Sequence, residues 1–128
     1  MDETESLRAA RAVRRAVLGD EYVDAMTADA DPASAEFQDH ITATAWGVWA
    51  RGGPLSLRDR SLLVMAMTAA LGRMEEFRLH AGASPRAGVT DDEIDELLLQ
   101  IAAYCGAPAA VAARREVRSL REQRGSPS

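Results

Sequence analysis

The residues from Leu62 to Leu71 are apolar on nearly every side of a helix, interrupted only by Thr68, and no other stretch constrains the fold as strongly. A helix without a polar face must be covered all round, so this one belongs in the centre of the fold or at a subunit contact. The run from Ser61 to Gly72 is too short to cross a bilayer. Ser56 stands where it can cap the helix, and Gly72 can bend or interrupt it before a segment from Arg73 to Ala83. Pro85 and Gly88 are expected to end that segment.

The remaining pattern is helical too. No segment alternates strictly with β-branched enrichment, and strand-type turns such as Asn-Gly are missing. Leu7, Ala10, Val13, Val17 and Leu18 recur at helical spacing until Gly19. Asp31 before Pro32 reads as an N-cap and a first-turn proline. The helix they open carries Phe37, Ile41, Ala45, Val48 and Trp49 on one stripe and ends near Gly52-Gly53. Thr90 with Glu93 predicts a capping box for a helix bearing Ile94, Leu97, Leu98 and Ile101. Gly106 closes that helix and Pro108 opens the last. Residues 1–5 and 125–128 are expected to fray, and 1–128 reads as one all-α domain without repeat or linker.

Composition narrows the function. A net charge of -5 disfavours a nucleic-acid partner, which needs surplus cationic charge on one face. The positive charge rests on Arg, which suits carboxylate recognition and equally a GC-rich genome. One Cys forms no internal disulfide, so a reducing, cytoplasmic compartment is expected, with no secretory signal and no membrane partner. Cys105 reads as a small buried hydrophobe rather than a nucleophile.

Arg73, Glu76 and His80 are spaced by three and four residues, which places them on one helix face with Glu76 and His80 as neighbours. A carboxylate beside an imidazole raises its pKa and orients it, making a usable general acid near neutral pH. The same spacing also describes a surface ladder worth a few tenths of a kcal/mol. Arg60 and Arg51 are further cationic candidates, since guanidinium grips carboxylate through two parallel hydrogen bonds. Arg60 could equally pair with Asp59. Trp46 and Trp49 share a helix face and either wall a pocket or pack a core. Two histidines, His40 and His80, are too few for a recognisable metal site, and no strand-glycine-helix fingerprint supports a nucleotide cofactor.

Several motifs carry a family resemblance. They are Val13-Arg14-Arg15-Ala16-Val17-Leu18-Gly19-Asp20, Tyr22-Val23-Asp24, Phe37-Gln38, Ala45-Trp46-Gly47, Arg60-Ser61-Leu62, Leu71-Gly72-Arg73, Glu75-Glu76, His80, Gly88-Val89-Thr90 and Tyr104-Cys105-Gly106. Their order and spacing resemble the carboxymuconolactone decarboxylase family over nearly the whole chain. The resemblance implies an alkylhydroperoxidase D-like fold of about six helices, with Arg60 to Gly88 as central hairpin. It also implies a ring-like homo-oligomer, a hexamer built from dimers or trimers, with sites at subunit contacts. His80 stands at the family's invariant histidine, so the resemblance makes His80, Glu76 and Arg60 the catalytic set. Arg73, Arg51, Trp46, Trp49 and Tyr104 are then expected to bind substrate. Related peroxidase-type proteins carry a Cys pair where this chain has Arg73 and Glu76, so their disulfide cycle is excluded.

The implied reaction is the cofactor-free loss of CO2 from a carboxylated unsaturated lactone. Other carboxylated or lactone substrates remain open, because Ala81-Gly82-Ala83-Ser84-Pro85 lacks the bulkier residues of relatives. A non-catalytic oligomeric scaffold is the remaining alternative, which the set Arg60, Glu76 and His80 opposes.

Overall fold

A computed structural model describes residues 2–28 and 31–125. The chain divides into two compact units, Met1–Ser56 and Leu57–Ser128. Every element among the described residues is helical. Counting the unbroken run from Pro32 to Ala50 once, the described residues form seven helical segments, against an expectation of about six.

The first unit opens with α1 (Glu3–Leu18), whose N-cap Asp2 accepts from the Glu5 amide. The helix therefore begins inside the stretch expected to fray. α2 (Asp20–Thr27) follows at Gly19, whose φ of 92° turns the chain between the two helices. α3 (Pro32–Ile41) starts as expected, with Asp31 accepting from the Ser34 amide and Pro32 in the first turn. Thr42–Trp46 then forms a π-helical turn, and α4 (Gly47–Ala50) completes the rod. The side of this run that α1 covers is not the expected apolar stripe, because Arg14 of α1 donates to Gln38 and Thr42 and turns their side inward. Thr42, Trp46 and Trp49 are the buried residues, whereas Phe37, Ala45 and Val48 are exposed.

The second unit is built from α5 (Leu57–Ala70), α6 (Met74–Ala87), α7 (Asp91–Cys105) and α8 (Ala107–Gln123). α5 packs most extensively on α6, and α7 on α8. Met65, Ala69, Phe77, Ile94, Ile101 and Val117 make the centre of one apolar core. The expected capping box is present: the Glu93 amide donates to Thr90 Oγ1, and the Thr90 amide donates to Glu93 Oε1. Glu93 also receives Arg58 Nη2, tying the start of α7 to the start of α5.

Three expectations change here. Of the two places expected for α5, the centre of the fold is not the one it takes: it packs on α6, α7 and α8 and keeps one side exposed. Leu63, Met67 and Leu71 face out, Met67 at 57% and Leu71 at 74% exposure. Pro85 does not end α6, which continues to Ala87 and stops at Gly88 in the left-handed conformation, φ 95°. The Val89 amide donates to Ser84 O and the Gly88 amide to Pro85 O, the paired bonds of a Schellman stop. Cys105 is exposed rather than buried, because it is the last residue of α7 and its side chain faces away from the core.

Candidate active site

Glu76 and His80 lie one turn apart on α6, on the same face, as the spacing predicts. Arg73 does not join that face. α5 ends at Ala70, Gly72 takes a φ of 74°, and Arg73 sits at the N-cap of α6 with φ -90° and ψ 70°. The turn therefore carries Arg73 off the helical ladder, with its side chain exposed.

The electrostatics of His80 also differ from the expectation. Burial disfavours the imidazolium and pulls the pKa below its ordinary 6.5, while the Glu76 carboxylate opposes that pull and loses. His80 is partly buried and its Nδ1 is shielded from solvent, whereas Glu76 stands exposed, where water weakens its influence. In the free protein the ring is thus biased towards the neutral form at pH 7. An anionic ligand beside it would restore part of the positive charge.

Arg60 lies in the first turns of α5, the helix that packs on α6, and is only 7% exposed. A guanidinium so enclosed is held in position rather than sampling solvent, which is what carboxylate recognition requires. Asp59 accepts from Arg58 Nη1 at 2.8 Å. Beside Arg60, the hydroxyl of Ser61 is buried and has no hydrogen-bond partner among the described residues. Ser61 is not among the expected site residues, since a serine in an apolar helix carries no signal of its own until its surroundings are known.

Tyr104 is 87% exposed near the end of α7. Trp46, Trp49 and Arg51 belong to the first unit. The two indoles lie 4.9 Å apart between ring centroids, tilted by 37°, and both are buried. That geometry is core-forming stacking, and it fulfils the shared-face expectation. Arg51 is exposed and borders a cavity of about 550 Å³ with His40, Asp39 and Glu3. Among the described residues no group of three or more His, Cys, Asp and Glu side chains is placed to hold a metal ion. No helix there is long and apolar enough to cross a membrane.

A buried arginine beside a partly buried imidazole-bearing helix suits chemistry on a carboxylated small molecule, and the relatives agree. The chain is 39% identical over 114 residues to 4-carboxymuconolactone decarboxylase of Acinetobacter baylyi, covering 88% of this chain and 84% of that one. It is 40% identical over 102 residues to nitrosuccinic acid decarboxylase of Metarhizium robertsii, covering 79% and 71%. Both relatives are decarboxylases by name, which places the chain among the carboxy-lyases. The model of the carboxymuconolactone decarboxylase family matches residues 35–119, more than half of the chain, so the chain belongs to the carboxymuconolactone decarboxylase family.

Proposed function

We propose that the chain decarboxylates 4-carboxymuconolactone without a cofactor, giving 3-oxoadipate enol-lactone and CO2, as a single domain spanning residues 1–128. The observation that carries this is the 39% identity over most of both chains to a protein of that activity, together with Glu76 and His80 on one face of α6.

The substrate explains why so few groups are needed. When the bond to the ring carboxylate breaks, its electron pair moves through the ring double bond into the lactone carbonyl. The resulting dienolate takes one proton on carbon. Arg60 grips a substrate carboxylate, and Arg73 and Tyr104 of the same unit add to substrate binding. His80 delivers the proton, and Glu76 supports its imidazolium. A placed acid is worth about 10²–10⁴-fold and a preorganised donor at the developing oxyanion about 3–4 kcal/mol. The neutral bias of His80 fits this order of events: it becomes a proton carrier once the dianionic substrate arrives and raises its pKa.

The proposal includes a homo-oligomer, a hexamer with sites at subunit contacts, in the reducing cytoplasm. The support for self-association is the apolar outer face of α5. A second reading is favoured by the nitrosuccinic acid decarboxylase relative. A nitro group on the carbon that loses CO2 accepts the electron pair as the lactone does, so the same residues would serve a small nitro-dicarboxylate.

The deciding experiment is CO2 release by the purified protein from each substrate. Turnover of the lactone with kcat/KM far above that of nitrosuccinate supports the first reading. The reverse ratio replaces it with the second, and no release from either overturns both.

A further inference from the structure

The first unit contains a buried arginine that the proposed reaction does not use. Arg14 is on the inward face of α1, between Ala10 and Val17, and is 6% exposed. A guanidinium has five N–H donors. Both hydrogens of Nη1 are used, one on Gln38 Oε1 and one on Thr42 Oγ1, each at 3.0 Å. Nε is buried and has no hydrogen-bond partner, and Nη2 has none among the described residues. Because Nε is sealed from solvent, Nη2 is the donor left for an incoming ligand. Burial lowers the Arg14 pKa, as expected for a cation without an anionic partner.

The neighbouring charges leave Arg14 in need of an anion. Arg11 pairs with Asp39 at 2.6 Å, and Arg15 pairs with Asp20 and Asp24. Asp39, the one acid among the described residues on the cavity wall, is thus engaged by Arg11. Arg14 opens into a cavity of about 240 Å³ shared with Arg11, Arg15, Gln38, Asp39 and Thr42. At about 30 Å³ per water, this is room for roughly eight waters or one small organic acid. Thr42 opens the π-helical turn, and its hydroxyl donates to Gln38 O at 2.6 Å while accepting from Arg14. This fixes Arg14 through Nη1 and leaves Nη2 unbonded among the described residues, and π-helical turns recur at functional positions.

We infer that the first unit binds a small carboxylate in this cavity, held by Nη2 of Arg14 with Arg11 and Arg15 flanking. The inference is independent of the reaction proposed at His80.

Succinate is the probe, titrated into the full chain at constant ionic strength. Binding is read by calorimetry and by the ¹⁵N-resolved Nε–Hε resonance of Arg14. The expected result is a saturable shift of that resonance, absent with potassium chloride. Gln38→Glu places an internal carboxylate beside Arg14 without changing size, and should weaken succinate binding about ten- to a hundredfold while leaving thermal stability intact. Arg14→Gln should abolish the response. His80→Ala should retain it, which separates this cavity from the reaction site. Succinate binding that survives Gln38→Glu but disappears in His80→Ala overturns the inference. So does a silent Arg14 resonance combined with loss of self-association in Gln38→Glu, which would make the carboxylate a second copy's side chain.

Discussion

The Ser84 hydroxyl donates a 2.7 Å hydrogen bond to the carbonyl oxygen of Ala81, the acceptor that Pro85 leaves without its helical donor. Proline has no N–H for the residue four positions earlier, and this normally breaks a helix. Here the preceding side chain supplies the donor, and α6 runs on to its Schellman stop at Gly88. Ser84 is fully buried, so removing its hydroxyl leaves the Ala81 carbonyl unsatisfied.

Ser84→Ala should therefore lower stability by about 1–3 kcal/mol, measured by urea unfolding. Pro85→Ala returns a backbone donor to Ala81, so the double variant Ser84→Ala/Pro85→Ala should recover most of the loss. Strictly additive effects of the two changes would show that the hydroxyl does not replace the missing amide.

The depressed pKa of His80 makes a prediction about pH. Because the folded value lies below 6.5, the unfolded chain takes up this proton first as pH falls. The stability contributed by neutral His80 is complete above about 6.5 and is lost as pH drops through the folded value. An NMR titration of the ring should place that value below 6.5. Glu76→Gln removes the one opposing charge and should lower it further, moving the basic limb of the rate profile the same way. A ring that titrates at or above 6.5 would contradict the dominance of burial.

His80 and Arg60 should separate chemistry from binding. His80→Ala should remove about 10²–10⁴-fold from kcat with little change in substrate affinity, because an acid acting on the intermediate is used after CO2 begins to leave. Arg60→Lys keeps the charge but loses the two-pronged grip, so it should raise KM and lower kcat together. An active His80→Ala enzyme with an unchanged pH profile would reject His80 as the acid, leaving Tyr104 or a water held by Glu76.

The helices were legible because their end signals are local: Asp31-Pro32, Thr90 with Glu93, and Gly106-Pro108 each act within four residues. The Glu76–His80 pair was legible for the same reason. What the pattern hid depends on context. Arg14 draws Gln38 and Thr42 towards α1 without a sequence mark, so that Trp46 is buried while Phe37 and Val48 are exposed. Pro85 reads as a terminator unless the Ser84 hydroxyl is known to face Ala81. Arg14 sits at a core position among Ala10 and Val17, where the apolar pattern is satisfied and a buried cation escapes notice. The sign of the His80 shift required knowing that the ring is enclosed and Glu76 is not.

The apolar run that dominates the sequence supplies the last prediction. Leu63, Met67 and Leu71 recur every four residues, so they form one stripe along the outer side of α5 and the turn after it. Exposing three large apolar side chains in a row is costly in water, and a second copy is the cover the proposed assembly provides. Met67→Glu puts a desolvated charge in the middle of that stripe, and a buried unpaired carboxylate costs several kcal/mol. Light scattering should show the wild-type chain as a homo-oligomer at micromolar concentration and Met67→Glu as a smaller species with unchanged helical circular dichroism. Since the sites are proposed to lie at subunit contacts, decarboxylation should fall with the mass. A monomeric wild type would overturn the assembly. A Met67→Glu protein of undiminished mass would move the contact to another face.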